Sequence, residues 1–128
     1  RGLYSHDDYH AVARRVEEVL ARAGIRLDGS YFCPHHPDVD GPCDCRKPAT
    51  GMHRKAARDL RLDLARSWFV GDRARDVLPA RELGGRGILV RTGYGQSLLD
   101  AGDLDARDRR DLGGTWVLLR TYVLFQMP

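Results

Sequence analysis

The sequence predicts an α/β domain built on a parallel sheet, because predicted helices alternate with short, strongly apolar runs. Strands of parallel sheets are buried on both faces, so they read as uninterrupted apolar segments. Ser67–Val70 and Gly87–Val90 are two such segments. A helix of roughly ten residues that begins after Gly71-Asp72 is expected to connect them.

The amino-terminal part of the chain is expected to be helical. Ser5 and Asp8 have the spacing of a capping box, in which a hydroxyl and a carboxylate satisfy free backbone N–H groups at a helix start. Apolar residues then recur at helical spacing as far as Ala23, and Gly24 ends the pattern. This pattern predicts an amphipathic helix.

Further elements are expected between that helix and the first apolar strand. Ser30–Cys33 is predicted to be a short strand, and Met52–Leu60 is predicted to be a helix because its apolar residues lie four apart. Beyond Gly95 the pattern weakens. We therefore expect a domain over residues 1–95 and a tail of uncertain structure over residues 96–128.

Composition restricts the possible partners. The 128 residues are 42% hydrophobic and 30% charged, which is typical of one soluble globular domain. A formal charge of only +3 favours small anionic ligands over nucleic acid. The longest apolar run, Trp116–Phe125, is interrupted by Arg120 and is too short to span a bilayer, so no membrane partner is expected. An odd number of cysteines, three, argues against a disulfide framework and favours a reducing cytoplasm.

All three cysteines lie in one proline-rich loop, residues 33–48. They form two close pairs of soft ligands, Cys33-x-His35 and Cys43-x-Cys45, which is the ligand set of a structural zinc site. His36 is the competing imidazole, but it breaks the alternate spacing within the pair. The alternative is a set of buried free thiols with surface histidines, which a polar loop makes improbable.

Positive charge follows the second pair directly, at Arg46-Lys47-Pro48. The chain has only two lysines, and a lysine is a compact charge suited to holding a phosphate oxygen. Asp72 follows a predicted strand, at the edge of the sheet where ligands bind, and its carboxylate can hold Mg²⁺ beside a phosphate. Arg73 adds positive charge there, and Asp76 lies four residues further on.

Three motifs together resemble the zinc-loop phosphatases of the haloacid dehalogenase superfamily. They are Cys33-Pro-His-His-Pro, Cys43-Asp-Cys-Arg-Lys-Pro48 and Phe69-Val-Gly-Asp-Arg-Ala-Arg-Asp76. The resemblance runs from Arg1 to about Gly95 and implies a Rossmann-like haloacid dehalogenase fold with a zinc-binding loop. The implied substrate is a small phosphorylated sugar, the heptose 1,7-bisphosphate of lipopolysaccharide heptose biosynthesis, which would lose its 7-phosphate.

The resemblance also implies roles for individual residues in an Mg²⁺-dependent hydrolysis through an aspartyl-phosphate intermediate. Lys47 would neutralise the transferring phosphoryl group, and Arg46 would help to recognise the substrate. Asp72 would ligate Mg²⁺, and Arg73 would contact the substrate or its phosphate. The implied zinc ligands are Cys33, His35, Cys43 and Cys45.

The chain departs from this family at the nucleophile. The family carries its nucleophile and its acid/base residue in an Asp-x-Asp motif on the first strand. Asp38-Val-Asp40 lies in the predicted zinc loop and Asp103-Leu-Asp105 follows a polar stretch, so neither matches. The chain is therefore expected to be the carboxyl-terminal part of a phosphatase domain that lacks its first strands and is inactive alone.

Two alternatives remain open at this point. Histidinol phosphate is the substrate of a near relative within the family, although the His35-His36-Pro37 sequence favours the heptose substrate. A non-catalytic zinc-binding module that retains phosphate affinity through Arg46 and Lys47 is the second alternative. A zinc-dependent nucleic-acid binder is a distant third, because the charge is nearly balanced.

Overall fold

The computed structural model describes residues 5–101. This part of the chain contains six α-helices, one short 3₁₀-helix and two strands. In chain order they are α1 (His6–Arg22), α2 (Pro37–Asp40), α3 (Gly51–Leu60), the 3₁₀-helix (Leu64–Arg66), β1 (Trp68–Gly71), α4 (Ala74–Val77), α5 (Pro79–Leu83), β2 (Arg86–Leu89) and α6 (Gly95–Asp100). The α/β class predicted from the sequence is confirmed.

The two strands form a parallel pair, as predicted. Trp68 is aligned with Arg86 and Gly71 with Leu89, so both strands end at the same edge of the sheet. Strand β2 lies one residue earlier than predicted, because the ladder ends at Leu89 and Val90 only donates its N–H to the carbonyl of Gly71. Residues 71–73 and 90–94 therefore leave the sheet side by side.

The connection between the strands is helical, as predicted, but it consists of two short helices rather than one. Helix α4 ends at Val77 and α5 begins at Pro79, whose ring nitrogen has no hydrogen to donate to the preceding turn. The buried apolar side chains of this part come from the two helices and the strands they cover. These are Phe69, Val77, Pro79, Ala80, Leu83 and Leu89.

Helix α1 begins as predicted. The Asp8 N–H donates to the Ser5 hydroxyl at 3.1 Å, and the Ser5 N–H donates to the Asp8 carboxylate at 2.8 Å, which completes the capping box. The pKa of Asp8 is lowered, first by the Ser5 backbone hydrogen bond. Within residues 5–101 the helix has no fully buried residue, and its valines Val12, Val16 and Val19 are exposed.

The predicted strand at Ser30–Cys33 is wrong. Within the described part of the chain these residues form no regular secondary structure and join no ladder. Their contacts are made by side chains instead: the Tyr31 hydroxyl donates to Asp59 at 3.2 Å, and Phe32 stacks on Tyr9. An apolar extended segment becomes a strand only where a second strand satisfies its backbone groups.

None of the helices in residues 5–101 is long and apolar enough to cross a membrane. The apolar run Trp116–Phe125 in the predicted tail lies outside the described residues. The proposed boundary at residue 95 stays a prediction.

Replacement of Leu89 by alanine tests where the core lies. Leu89 is 1% exposed, so the cavity left by Leu89→Ala is expected to lower the free energy of unfolding by about 2–5 kcal/mol. Urea denaturation followed by circular dichroism measures this change. Val12→Ala is the control, because Val12 is 64% exposed and its loss is expected to change stability by less than about 0.5 kcal/mol. Equal losses for both variants would contradict this core.

Candidate functional site

The four soft ligands predicted from the sequence lie together. The ligand atoms of Cys33, His35, Cys43 and Cys45 are all within 4.8 Å of one another. The Cys33 and Cys45 sulfurs are 3.1 Å apart, and the His35 Nδ1 lies 3.2 Å from the Cys45 sulfur. Cys43 lies 3.6 Å from each of the other two sulfurs. Tetrahedral zinc holds neighbouring sulfur and nitrogen ligands roughly 3.5–3.8 Å apart, so the cluster could bind zinc.

The competing imidazole is used elsewhere. His36 accepts the Asp38 N–H at its Nδ1 at 3.3 Å and thereby caps helix α2. Its own backbone N–H donates to the Asp40 carboxylate at 2.6 Å. The spacing argument that favoured His35 over His36 agrees with this geometry. The short helix α2 itself was not predicted.

The electrostatics of the cluster also fit a divalent cation. Desolvation raises the pKa of the Cys43 thiol, but hydrogen bonds with Cys33 and Cys45 outweigh it and lower that pKa to about 7. The hydrogen bond that Cys45 shares with Cys33, followed by desolvation, raises the pKa of Cys45 to about 12. Three thiols in mutual contact resist joint ionisation, and a bound Zn²⁺ would remove that repulsion.

The cluster is attached to the rest of the domain through its own loop. The exposed Arg46 guanidinium donates to the carbonyl oxygen of His35 at 2.9 Å, so this predicted substrate residue also bridges the two ligand pairs. The Gly51 N–H donates to the Asp44 carbonyl at 2.8 Å, which connects the loop to the first turn of α3. The loop therefore leads directly from the cluster to Lys47.

Lys47 reaches across to the start of α4. Its ammonium group donates to the Asp76 carboxylate at 2.5 Å, and the Asp76 side chain is only 14% exposed. A Cβ at position 71 would collide with the Cβ of Asp76, so Gly71 is what allows α4 to approach the end of β1 this closely. Asp76 therefore fixes the predicted phosphate-binding lysine at the carboxyl edge of the sheet.

Asp72 lies at the same edge and is held by the segment that follows β2. Its carboxylate accepts the backbone N–H of Tyr94 at 3.0 Å. Gly93, with a φ of 62°, allows this contact, because a Cβ at position 93 would collide with the Asp72 carboxylate. The second carboxylate oxygen makes no hydrogen bond within the described residues and could ligate a metal ion.

Sequence reasoning missed several neighbours of this edge. The sequence pattern indicates no partner for Asp76 and no role for Tyr94 or His53. His53 packs against the Phe69 ring, and burial, followed by the charge of Lys47, lowers its pKa. The position of Tyr94 does have a signal in the sequence. An aromatic residue that follows the Thr92-Gly93 turn after a predicted strand is expected at the ligand-binding edge of the sheet.

Comparison with known proteins identifies the family. The model of the HAD-hydrolase-like family matches residues 44–110, which is more than half of the chain. The chain belongs to the haloacid dehalogenase (HAD) hydrolase family.

Relatives of this HAD chain are named as heptose-1,7-bisphosphate 7-phosphatases. It is 39% identical over 99 residues to a D-glycero-β-D-manno-heptose-1,7-bisphosphate 7-phosphatase from Yersinia pestis, covering 73% of this chain and 53% of that protein. It is 47% identical over 109 residues to a D-glycero-D-manno-heptose-1,7-bisphosphate 7-phosphatase from Thermosynechococcus vestitus, covering 78% and 56%. The chain thus spans about half the length of the curated relatives it matches.

Solved structures agree with the HAD fold. A D,D-heptose 1,7-bisphosphate phosphatase from B. bronchiseptica, complexed with magnesium and phosphate, is 39% identical with a TM-score of 0.73. That match covers 83% of this chain and 58% of the other. A putative HAD-like phosphatase from Mesorhizobium loti is 32% identical with a TM-score of 0.56, covering 73% and 47%.

Replacement of each of the two adjacent histidines tests which of them is the zinc ligand. His35→Ala is expected to weaken zinc binding by more than the roughly 10- to 100-fold that loss of an outer contact costs, because a direct ligand is removed. His36→Ala is the control and is expected to retain zinc, since its ring caps α2. Zinc content after dialysis and the absorption spectrum of the cobalt-substituted protein measure both. Equal zinc loss in the two variants would refute this ligand set.

Two Lys–Asp pairs of similar length test the importance of burial. Asp76→Asn breaks the pair in which Asp76 is 14% exposed, and it is expected to lower the free energy of unfolding by about 1.5–3 kcal/mol. Asp59→Asn breaks the 2.6 Å pair with Lys55, whose partners are 59% and 41% exposed, and should cost less than about 1 kcal/mol, since the amide oxygen can still accept the Tyr31 hydroxyl. Urea denaturation of both variants measures the difference. A smaller loss for Asp76→Asn would contradict the tethering of Lys47.

Proposed function

We propose that the protein is, or forms part of, an Mg²⁺-dependent cytoplasmic phosphatase that removes the 7-phosphate from D-glycero-D-manno-heptose 1,7-bisphosphate. The observation that carries this proposal is the pairing of Lys47 with Asp76 at the edge of the sheet where Asp72 also lies. A positive side chain and a free carboxylate oxygen at one sheet edge are what phosphoryl transfer requires. The names of the relatives support the heptose substrate.

Lys47 acts on the transferring phosphoryl group in this proposal. Its ammonium group has three donors, of which Asp76 uses one, so two N–H groups remain to hold phosphoryl oxygens as negative charge develops on them. The pair with Asp76 restricts the conformations of the Lys47 side chain, which reduces the conformational entropy lost when the substrate binds. Arg46 and Arg73 would contact the rest of the substrate.

Asp72 would hold Mg²⁺ through its free carboxylate oxygen, while the Tyr94 N–H fixes the other oxygen. Bound there, the metal ion would neutralise charge on the phosphate. Zinc would be structural, because four protein ligands leave no open position for water. Its contribution would be to fold the loop that carries Arg46 and Lys47, as structural zinc does in domains with little apolar core.

The attacking group would be the aspartate of the family's Asp-x-Asp motif, which none of the motifs of this chain supplies. Carboxylate attack on phosphorus would form an aspartyl-phosphate and break the P–O bond to the sugar, whose oxygen would take a proton from the acid/base aspartate of the same motif. Water would then hydrolyse the acyl phosphate. Because no Asp-x-Asp here follows an apolar strand, the 128 residues alone are expected to bind substrate without turnover. The activity test therefore needs a protein in which the expected amino-terminal segment is supplied, for example from the B. bronchiseptica enzyme.

The two lysines of the chain provide a matched test of this function. In the completed protein, Mg²⁺-dependent phosphate release from heptose 1,7-bisphosphate is expected, and Lys47→Ala should lower kcat roughly 100- to 1000-fold. Lys55→Ala is the control, since Lys55 lies on the exposed face of α3, where it pairs with Asp59 and lies over the Tyr31 ring. Steady-state kinetics with a phosphate-release assay measure both variants.

The outcomes separate the alternatives. Higher kcat/KM for histidinol phosphate than for the heptose substrate would assign the other specificity within the family. Phosphate-ester binding that Lys47→Ala abolishes, without turnover in any version of the protein, would favour a non-catalytic zinc-binding module. Equal activity of Lys47→Ala and Lys55→Ala would refute the role of Lys47.

A further inference from the structure

An exposed aromatic ring supports an arginine beside Asp72. The guanidinium carbon of Arg73 lies 3.7 Å from the centroid of the Tyr94 ring, which is a close cation–π stack. The Tyr94 side chain is 60% exposed, so this ring is not placed there to fill a core. An exposed aromatic ring at the ligand-binding edge of a parallel sheet is available to support a side chain that binds the ligand.

The stack leaves the hydrogen-bond donors of Arg73 available. Cation–π contact uses the flat face of the guanidinium, whereas its N–H groups point outward in the plane of the group. Within residues 5–101 the Arg73 guanidinium has no carboxylate partner and no hydrogen-bond acceptor. It differs in this from Lys47, which is paired with Asp76, and from Arg46, which donates to His35.

The backbone and the side chain of Tyr94 have separable roles. The Tyr94 N–H holds the Asp72 carboxylate, and this contact does not depend on the side chain. The ring contacts Arg73 instead. Replacement of the side chain therefore removes the support of Arg73 while it leaves the backbone contact to Asp72 in place.

We infer that Tyr94 is a positioning residue that holds the Arg73 guanidinium flat, with its in-plane N–H groups directed at a phosphate group of the substrate. Two parallel N–H donors match the spacing of two phosphate oxygens, which a lysine at this position could not reproduce. The inference rests on the proposed function for the identity of the substrate, a sugar bisphosphate. The phosphate is either the one that is hydrolysed or the second one, and both have the same chemistry.

Binding measurements on the full chain with zinc and Mg²⁺ test the inference, with inorganic phosphate and heptose 1,7-bisphosphate as the two probes. Tyr94→Leu removes the π face and is expected to weaken binding about two- to five-fold, the worth of an exposed cation–π contact. Tyr94→Phe keeps the face and should stay within about two-fold of the wild type. Arg73→Leu should cost about ten-fold or more, the worth of hydrogen bonds to a charged group. In the Arg73→Leu background, Tyr94→Leu should have no further effect.

An effect of Tyr94→Leu on both probes would assign Arg73 to the hydrolysed phosphate, and an effect on the bisphosphate alone would assign it to the second one. Either result supports the inference. Wild-type affinity in Tyr94→Leu, equal losses with and without Arg73, or no binding of either probe to the wild type would overturn it. Failure of the proposed function looks different: the Tyr94 effects persist, but the bisphosphate binds no more tightly than inorganic phosphate.

Discussion

The contact on which the site depends is the ion pair between Lys47 and Asp76, which joins residues 29 positions apart in the chain. Lys47 belongs to the loop that carries the cysteines, and Asp76 belongs to the first turn of α4 beyond β1. A Lys–Asp pair on an exposed surface holds two flexible side chains only weakly, but here the carboxylate is 14% exposed and Gly71 lets it approach the strand. Without this pair the positive charge would not stay at the ligand-binding edge of the sheet.

The Cys/His cluster lies in the same loop as Lys47, at the end that does not reach Asp76. The loop over residues 33–48 has no buried side chain, so burial of apolar surface cannot fold it. Its four soft ligands lie within 4.8 Å of one another, so a metal ion bound there would order the loop instead. Two hydrogen bonds connect the cluster to its neighbours. Arg46, next to Lys47, donates to the His35 carbonyl, and the Gly51 N–H at the start of α3 donates to the Asp44 carbonyl.

Much of this HAD chain could be predicted because its signals are local. The Ser5 cap, the apolar strand before Asp72 and the alternate spacing of the four Cys and His side chains each depend on residues a few positions apart. The cap and the Cys/His cluster are found as expected, and the strand lies one residue later than predicted, at Trp68–Gly71. The strand at Ser30–Cys33 could not be judged in the same way, since a strand depends on a partner that may lie anywhere in the chain. The division of the connecting helix at Pro79 does have a local signal, because proline has no N–H to donate to the preceding turn.

The sequence by itself determined the α/β class, the soft ligand set and the presence of Asp72 and Lys47 in motifs that resemble the HAD phosphatases. Only the tertiary structure decided which side chains face one another: Asp76 with Lys47, the Tyr94 N–H with Asp72, and the Tyr94 ring with Arg73. The physical reason is that motifs are read from residue type and spacing, whereas these contacts form where the two parallel strands end at one edge. The ladder between β1 and β2 brings Tyr94 to Asp72 and Arg73, more than 20 residues away, and the loop that leads to α3 brings Lys47 to Asp76.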